Sequence, residues 1–184
     1  MKISNLHKSF GDKSIFKSLS YNFEDGKVTA LMGESGIGKT TLLRIIAGLD
    51  NDYTGSIERP TRISYVFQEP RLFSQISVLD NIKIVNDFPK HDVMKLLDLV
   101  ELGECANMYP SELSGGMKIR LSLARAIYYN ADLILLDEPF ASLDEDTKNR
   151  IAPKIFKLLE NKTIIFVTHN QNDAIKYSDN IIKI

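Results

Sequence analysis

The chain has 184 residues, of which 43% are hydrophobic and 26% charged, a composition typical of one globular domain that excludes a disordered chain. Lys and Arg number 23 against 24 Asp and Glu, so the formal net charge is −1 and gives no electrostatic basis for binding nucleic acid or an anionic membrane surface. The single cysteine excludes an internal disulfide framework and thiolate zinc sites.

The first third of the chain alternates between strand and helix patterns. Strands are predicted at Ile3–Phe10 and Ile15–Phe23, and the apolar run Val28–Met32 is typical of a buried strand. Lys39–Gly48 has apolar residues at helical spacing and ends in a glycine. A further short strand is predicted at Ser64–Phe67.

The remainder of the chain contains more helix. Helices are predicted at Ser77–Val85, His91–Val100, Gly116–Tyr128 and Asp144–Glu160, with a short one near the end of the chain. Fully apolar strands are predicted at Leu133–Leu136 and Thr163–Val167, and Ile181–Ile182 follows the last helix. Pro153 lies inside the helix that starts at Asp144 and is expected to kink or interrupt it.

Strands that alternate with helices and are apolar on both faces predict an α/β fold with a mainly parallel sheet. Residues from about 70 to 127 have only helical patterns and form a predicted helical lobe. No apolar run approaches the roughly 18–20 residues that span a bilayer, and the first residues lack the apolar stretch of a signal peptide. We therefore expect a cytoplasmic chain.

A glycine-rich loop lies between the strand Val28–Met32 and the following helix. Its residues match the pattern G-x-x-x-x-G-K-[ST]: Gly33, Glu34, Ser35, Gly36, Ile37, Gly38, Lys39 and Thr40. Glycines allow backbone N–H groups to surround phosphate oxygens, and the helix N-terminus adds partial positive charge. Lys39 supplies a charge for the β- and γ-phosphates and Thr40 a hydroxyl for Mg²⁺. The loop therefore predicts binding of a nucleoside triphosphate.

Two carboxylates follow the apolar strand Leu133–Leu136, at the end of the strand where α/β folds place their ligand sites. Asp137 is predicted to hold Mg²⁺ through water, and Glu138 to polarise the attacking water as a general base. His169 ends the next apolar strand, and a contact with the γ-phosphate is predicted for it.

A second candidate phosphate-binding element lies at the start of another predicted helix. Ser114, Gly115 and Gly116 combine a hydroxyl, open backbone amides and a helix dipole. A plain helix cap would explain the serine but not the two glycines. One nucleotide needs one such element, so the second is predicted to serve a nucleotide held by another molecule.

Taken in chain order, these motifs resemble the ATP-binding subunits of ABC transporters, from about Phe10 to Asn180. Phe10 stands where that family stacks an aromatic side chain on adenine. The segment Gly33–Thr41 resembles the Walker A loop of that family, with Thr41 as its last residue. Gln68 is similar to the glutamine that contacts Mg²⁺ and the attacking water.

The later motifs extend the resemblance. Leu113–Met117 resembles the signature motif, with Met117 in place of the usual glutamine, and Leu133–Glu138 resembles the Walker B strand. Ala141–Asp144 is similar to the D-loop, and Asp144 corresponds to the aspartate of that motif. His169 resembles the switch histidine. Gln68 lies only 29 positions after Lys39, which suggests a trimmed β-subdomain.

The resemblance implies a P-loop NTPase core with a small N-terminal antiparallel β-subdomain and a helical lobe that carries the signature motif, all within one ATP-binding domain of residues 1–184. It implies an ATPase in which Glu138, His169, Gln68 and Lys39 are catalytic. ATP is then the bound nucleotide, with Mg²⁺ held by Thr40, Gln68 and Asp137, partly through water.

The partners that the resemblance implies are a second nucleotide-binding subunit, expected to be a second copy, transmembrane permease subunits and a solute-binding protein. The subunit would lie peripherally on the inner face of the cell membrane. The motifs are most similar to those of bacterial importers of the nitrate, sulfonate and taurine group.

Two alternatives remain from the sequence. A soluble, non-transport ABC-type ATPase acting on DNA or ribosomes usually carries a long coiled coil or two fused nucleotide domains, which this sequence lacks. A small P-loop kinase would suit the length but should have an Arg-rich lid, and it would leave Leu113–Met117 and Gln68 unexplained.

Overall fold

The computed structural model of the chain describes residues 1–86 and 90–184. These residues divide into two compact units. The first comprises Met1–Tyr65, Asp132–Glu138 and Asn161–Ile184, and the second Val66–Ala131 and Pro139–Glu160. The prediction of one ATP-binding domain over residues 1–184, with a lobe at about 70–127, stays a prediction.

Strands and helices follow one another along the chain largely as the sequence patterns predicted. The strands are β1 (Lys2–Phe10), β2 (Lys13–Asn22), β3 (Val28–Met32), β4 (Thr54–Glu58), β5 (Ile63–Val66), β6 (Leu133–Asp137), β7 (Thr163–Val167) and β8 (Asn180–Lys183). The α-helices are α1 (Lys39–Ile46), α2 (Val78–Lys83), α3 (Lys90–Leu99), α4 (Gly115–Tyr129), α5 (Glu145–Leu158) and α6 (Gln171–Tyr177).

The first unit contains a small antiparallel sheet in the order β2-β1-β4. A two-residue turn pairs Phe10 with Lys13 and joins β1 to β2 as a hairpin. Strand β4 was not predicted, because four of its five residues are exposed and only Ile57 packs against the core. The sheet confirms the predicted N-terminal antiparallel β-subdomain.

The second sheet has the order β5-β6-β7-β3-β8, and the pairs β6–β7, β7–β3 and β3–β8 are parallel. Every residue of β6 and β7 is buried, which explains their apolar composition on both faces. The register pairs Val167 with Leu31 on one side and Asp137 on the other. The carboxyl ends of β3, β6 and β7 therefore meet at one edge of the sheet.

The hydrophobic core of the first unit brings α1 together with strands of both sheets. Its fully buried members include Leu42, Leu43, Ile45 and Ile46 of α1, Ile3 and Leu6 of β1, Leu133 and Leu135 of β6, and Ile165 and Val167 of β7. Burying side chains of this size contributes about 1.5–3 kcal/mol each. This packing holds α1, and with it the loop that precedes it, against the edge where the strands end.

The second unit contains α2 to α5 and two short 3₁₀ turns, and its described elements between residues 70 and 127 are all helical. Pro153 is expected to kink or interrupt its helix; an interruption is wrong, because α5 continues through this residue, and a kink stays a prediction. Buried Ile151, Ala152 and Ile155 pack one face of α5, and such packing outweighs the propensity of a single residue.

Among the residues that the structure describes, no helix is both long and apolar enough to cross a membrane.

Candidate nucleotide-binding and catalytic site

The glycine-rich loop joins the end of β3 to the start of α1. Gly38 precedes the helix with φ 121°, a conformation that favours glycine, and a Cβ there would collide with Ile15 and Phe16 of β2. The helix has no side-chain cap and no acidic residue in its first turn. Its N-terminal N–H groups and dipole therefore face the loop without a competing carboxylate, as an anion site requires.

Lys39 is the first residue of α1 and is only 6% exposed. Its Nζ donates to Gly33 O at 2.9 Å and to Glu34 O at 2.8 Å, so the ammonium group lies within the loop. The loop residues from 34 to 37 are exposed. The loop thus combines backbone amides and one buried cation around a space that solvent reaches.

Asp137 ends β6 and is 2% exposed. Thr40 Oγ1 donates to its Oδ1 at 3.1 Å, and Tyr65 OH donates to its Oδ2 at 3.1 Å. Burial raises the pKa of Asp137 above its ordinary value, although both hydroxyl bonds act in the opposite direction. The structure therefore brings together the predicted Walker A hydroxyl and Walker B carboxylate.

The Thr40–Asp137 pair fits a magnesium ion. A hydroxyl and a carboxylate oxygen lie side by side, and hard oxygen ligands of this kind are the ones that Mg²⁺ takes while it retains several waters and phosphate oxygens. The part of the chain that the structure describes contains no cluster of three or more His, Cys, Asp or Glu that could hold a metal ion.

Glu138 and His169 form a close pair at the same edge of the sheet. His169 Nε2 lies 2.7 Å from Glu138 Oε1, and their side chains are 46% and 19% exposed. Glu138 has φ 51°, the left-handed conformation that is rare for residues other than glycine, and its N–H donates to Val167 O at 3.2 Å. The chain therefore leaves β6 abruptly at Glu138, which directs its carboxylate to the imidazole.

Phe10 lies at the end of β1, and its side chain is 54% exposed. The Lys8 ammonium lies over the ring, 4.6 Å from its centre, and is held 2.9 Å from Asp50 Oδ2. An exposed ring of this kind suits stacking on a base. Its predicted contact with adenine stays a prediction.

The predicted signature residues lie in the second unit, at the start of α4. Ser114 Oγ accepts from Met117 N–H at 3.3 Å, so Ser114 caps the helix, and Gly115 beside it is exposed. A Cβ on Gly116 would lie 3.3 Å from Leu143 Cδ2 and 3.4 Å from Ser142 O. Gly116 therefore permits close packing within this unit, a role that sequence analysis did not assign.

Gln68 and Asp144 also belong to the second unit, and both are exposed. Asp144 Oδ1 accepts from Thr147 N–H at 2.8 Å and caps α5, and this bond holds the pKa of Asp144 below its usual range. The first unit alone brings together Lys39, Thr40, Asp137, Glu138 and His169. The roles predicted for Gln68 and Asp144 stay predictions.

Sequence analysis missed Tyr65, whose hydroxyl bonds to Asp137. Tyr65 stands beside Ser64 in the short strand β5, and no feature of this segment distinguishes the tyrosine as the partner of a carboxylate. The pairing of Tyr65 with Asp137 depends on the sheet order, in which β5 lies beside β6.

A cleft of about 590 Å³ lies at the opposite edge of the parallel sheet and is lined among others by Asp25, Glu58, Arg59, Asp132 and Lys162. Its charges are of mixed sign, and Asp25 pairs with the Met1 ammonium at 3.2 Å. The residues predicted to bind the nucleotide, Lys39 and Asp137 among them, lie at the other edge of the sheet.

Comparison with known protein families matches residues 16–141 to the ABC transporter family. Among curated relatives, the chain is 39% identical over 188 residues to the aliphatic sulfonates import ATP-binding protein SsuB 1 of Paracoccus denitrificans, covering 98% of this chain and 77% of the relative. It is 36% identical over 206 residues to the sulfate/thiosulfate import ATP-binding protein CysA of Escherichia coli, covering 99% of this chain and 56% of the relative.

Among solved structures, the chain is similar to a dimeric post-hydrolysis state of the ATP-binding cassette MJ0796 bound to ADP and Pi. The TM-score is 0.86 and the identity 28%, with 100% of this chain and 93% of that chain covered. A bacterial Atm1-family ABC exporter with ATP bound has a TM-score of 0.89 at 22% identity, covers 100% of this chain and 36% of that chain, and shows the likeness of fold alone.

Proposed function

Because the chain belongs to the ATP-binding, ATP-hydrolysing subunits of ABC transporters, we propose that it powers an importer by binding and hydrolysing Mg²⁺-ATP between two nucleotide-binding subunits. The observation that carries this proposal is the grouping of Lys39, Thr40, Asp137, Glu138 and His169 at one edge of the parallel sheet. The predicted family and the predicted ATPase activity are both confirmed.

The loop residues from Gly33 to Thr41 bind the phosphates of ATP. Their N–H groups and the positive end of α1 attract the anion, and Lys39 turns its ammonium group from Gly33 O and Glu34 O to phosphate oxygens. Thr40 and Asp137 would hold Mg²⁺, and the bound ion would supply positive charge that offsets the negative charge of the phosphates. Phe10 stacks on the adenine.

Glu138 accepts the proton of the attacking water as the general base. His169 lies 2.7 Å from its carboxylate and orients it, while its exposed position leaves it available to contact the γ-phosphate. The left-handed backbone of Glu138 supports this role, because strained conformations of this kind are concentrated at functional sites.

Two copies of the chain bind two ATP molecules between them. The loop Gly33–Thr41 of one copy and Ser114–Gly116 of the other contact the same nucleotide, so ATP joins the copies and its hydrolysis releases them. Exposure of Ser114 and Gly115, and the likeness to a dimeric cassette over 93% of that chain's length, support this arrangement.

The membrane partner is a permease that docks near Gln68–Phe73 and the helical lobe, which places the chain on the inner face of the cell membrane, and a solute-binding protein delivers the solute. The names of the import proteins that the chain resembles support import of a small sulfonate or related oxyanion. The chain spans 77% of the SsuB 1 relative and only 56% of the CysA relative.

The Glu138→Gln variant tests the general base. We expect ATP hydrolysis to fall at least about 100-fold, because general base catalysis contributes about 10²–10⁴. ATP binding should remain, so an ATP-bound dimer should accumulate on size-exclusion chromatography with light scattering. Asp132→Asn, which removes an exposed carboxylate at the other end of β6, is the matched control and should keep wild-type turnover. Hydrolysis by Glu138→Gln at the wild-type rate would refute the assignment.

Purification of the tagged chain from detergent-solubilised membranes of its own cell tests the transport role. We expect a polytopic membrane protein to co-purify, and the identity of its companions would indicate the transported solute. Recovery of soluble partners alone would instead favour the alternative, a non-transport ABC-type ATPase.

A further inference from the structure

Each oxygen of the Asp137 carboxylate accepts one hydrogen bond from a hydroxyl group. Thr40, on α1, donates to Oδ1 at 3.1 Å, and Tyr65, on β5, donates to Oδ2 at 3.1 Å. The Tyr65 side chain is partly buried and packs against the hydrophobic core of the first unit. The phenol group is therefore a fixed donor, carried by a strand next to the one that carries Asp137.

The second donor changes what the carboxylate does. The terminal torsion of an aspartate is broad, so a carboxylate held at one oxygen still rotates. A donor on each oxygen fixes the carboxylate plane, and here the Tyr65 bond leaves Oδ1 directed toward the Thr40 hydroxyl. Asp137 is 2% exposed, so the Tyr65 bond also stabilises a negative charge that has lost most of its solvent.

We propose that Tyr65 is a positioning residue for the divalent cation: its phenol O–H holds the Asp137 carboxylate in the orientation that, with the Thr40 hydroxyl, receives the cation bound to ATP. The proposal rests on the proposed function, specifically on the cation site at Thr40 and Asp137. It predicts that Tyr65 contributes to the cation-dependent part of nucleotide affinity and not to the part that the phosphate loop supplies alone.

The test compares nucleotide binding with and without Mg²⁺ in the Tyr65→Phe variant, which keeps the ring and removes the hydroxyl. The Kd of a fluorescent, non-hydrolysable ATP analogue is measured in EDTA and in excess Mg²⁺. The ratio of the two values is the enhancement of affinity by the cation. We expect this enhancement to fall about 10-fold, because partners that orient metal ligands contribute about 10–100-fold to metal affinity. The Kd in EDTA should stay unchanged.

Tyr53→Phe is the matched control, because Tyr53 packs against the same core, and this variant should keep the wild-type enhancement. Tyr65→Met removes the donor with a different apolar side chain and should reproduce the loss seen in Tyr65→Phe. A wild-type enhancement in both Tyr65 variants would overturn the proposal. The proposal would also be overturned if the variants raised the Kd by the same factor in EDTA as in Mg²⁺, because that pattern indicates a structural role only.

The experiment separates failure of this inference from failure of the proposed cation site. If the wild-type chain binds the analogue equally in EDTA and in Mg²⁺, then the cation site at Thr40 and Asp137 is wrong, and the role of Tyr65 falls with it. If the wild-type chain shows the enhancement and the Tyr65 variants retain it, only the positioning role is wrong.

Discussion

Adjacent carboxylates in this chain have different environments and hence different proposed roles. Asp137 lies in the last position of a fully buried strand, where hydroxyl groups bind both of its oxygens. Glu138 leaves the strand with a left-handed backbone and meets His169 at 2.7 Å. Burial and fixed donors suit a carboxylate that orients a cation, whereas a partly exposed carboxylate paired with an imidazole suits proton transfer.

A carboxylate at the start of β8 is also held by backbone and side-chain donors. Asp179 Oδ2 accepts from Val28 N–H at 2.8 Å, and Lys27 Nζ lies 3.3 Å from Oδ1. The Val28 bond, with a smaller contribution from Lys27, holds the pKa of Asp179 below its usual range. Asp179 therefore ties the start of β3 to the start of β8.

The Asp179→Asn variant tests the pH dependence of this tie. A lowered pKa stabilises the fold above the unfolded-state pKa of about 3.9, and the contribution disappears as the pH falls through the folded-state value. We expect the wild-type chain to exceed Asp179→Asn in unfolding free energy by about 1 kcal/mol or less at pH 7, because the side chain is half-exposed and screened. The difference should shrink below about pH 4 in urea titrations followed by circular dichroism.

Lys27→Ala is the control for the ion pair in that experiment. It should lower the unfolding free energy by less than Asp179→Asn, because the backbone bond is the larger cause of the shift. An Asp179→Asn difference that grows as the pH falls would contradict the assignment.

At the scale of elements, the start of α2 depends on one fully buried side chain. Asn81 accepts from Phe73 N–H at 2.9 Å and donates to the carbonyls of Phe73, Ile76 and Ser77 at 3.0, 3.2 and 3.0 Å. These bonds fix the loop that precedes the helix, in which Phe73 is 49% exposed. The proposed docking of a permease near Phe73 thus depends on an amide that no solvent reaches.

The Asn81→Ala variant should lower the unfolding free energy by about 2–4 kcal/mol. It removes the side-chain partner of Phe73 N–H, Phe73 O and Ile76 O, and loss of a buried partner costs about 1–3 kcal/mol for each group, incompletely additive. Ser77 O keeps a partner because Asn81 N–H also donates to it. Urea unfolding followed by circular dichroism gives the value, and limited proteolysis should show earlier cleavage between residues 71 and 77.

The exposed neighbour Asp80 offers the matched control for that loss. Asp80→Asn should change the unfolding free energy by less than about 1 kcal/mol, because surface substitutions have small effects. Equal effects of Asn81→Ala and Asp80→Asn would refute the role assigned to the Asn81 amide.

At the scale of the whole molecule, the residues proposed to bind ATP come from segments that are far apart in sequence. Thr40 and Asp137 are 97 positions apart yet lie within hydrogen-bonding distance. A ligand that binds such a site stabilises the folded chain by mass action, because the site exists only when β3, α1 and β6 are assembled.

Binding of a non-hydrolysable ATP analogue with Mg²⁺ should therefore raise the Tm. At 100 times its Kd the stabilisation is about 2.7 kcal/mol, which corresponds to about 5–10 °C for a chain of this size. The Asp137→Asn variant should keep the shift that the nucleotide produces in EDTA and lose the additional shift in Mg²⁺. Scanning calorimetry measures both, and an undiminished Mg²⁺ effect in Asp137→Asn would exclude Asp137 from the cation site.

Short-range patterns predicted most elements of the fold, because burial on both faces makes strands such as β3 and β7 continuous apolar runs. The patterns failed where tertiary context decides. Strand β4 has no apolar alternation, since its backbone pairs with β1 while four of its side chains stay exposed. Helix α5 continues through Pro153 because packing of its buried face outweighs a local preference.

The sequence by itself determined the α/β class, the phosphate loop and the residues proposed for catalysis, because that chemistry requires particular residue types at short spacings around each strand end. Only the tertiary structure decided which side chains meet. In the folded chain Tyr65 donates a hydrogen bond to Asp137 and His169 lies beside Glu138. The Asn81 amide donates to carbonyl groups of the loop that precedes α2. The order of strands in a sheet depends on packing between segments distant in sequence, so a local sequence pattern does not predict that order.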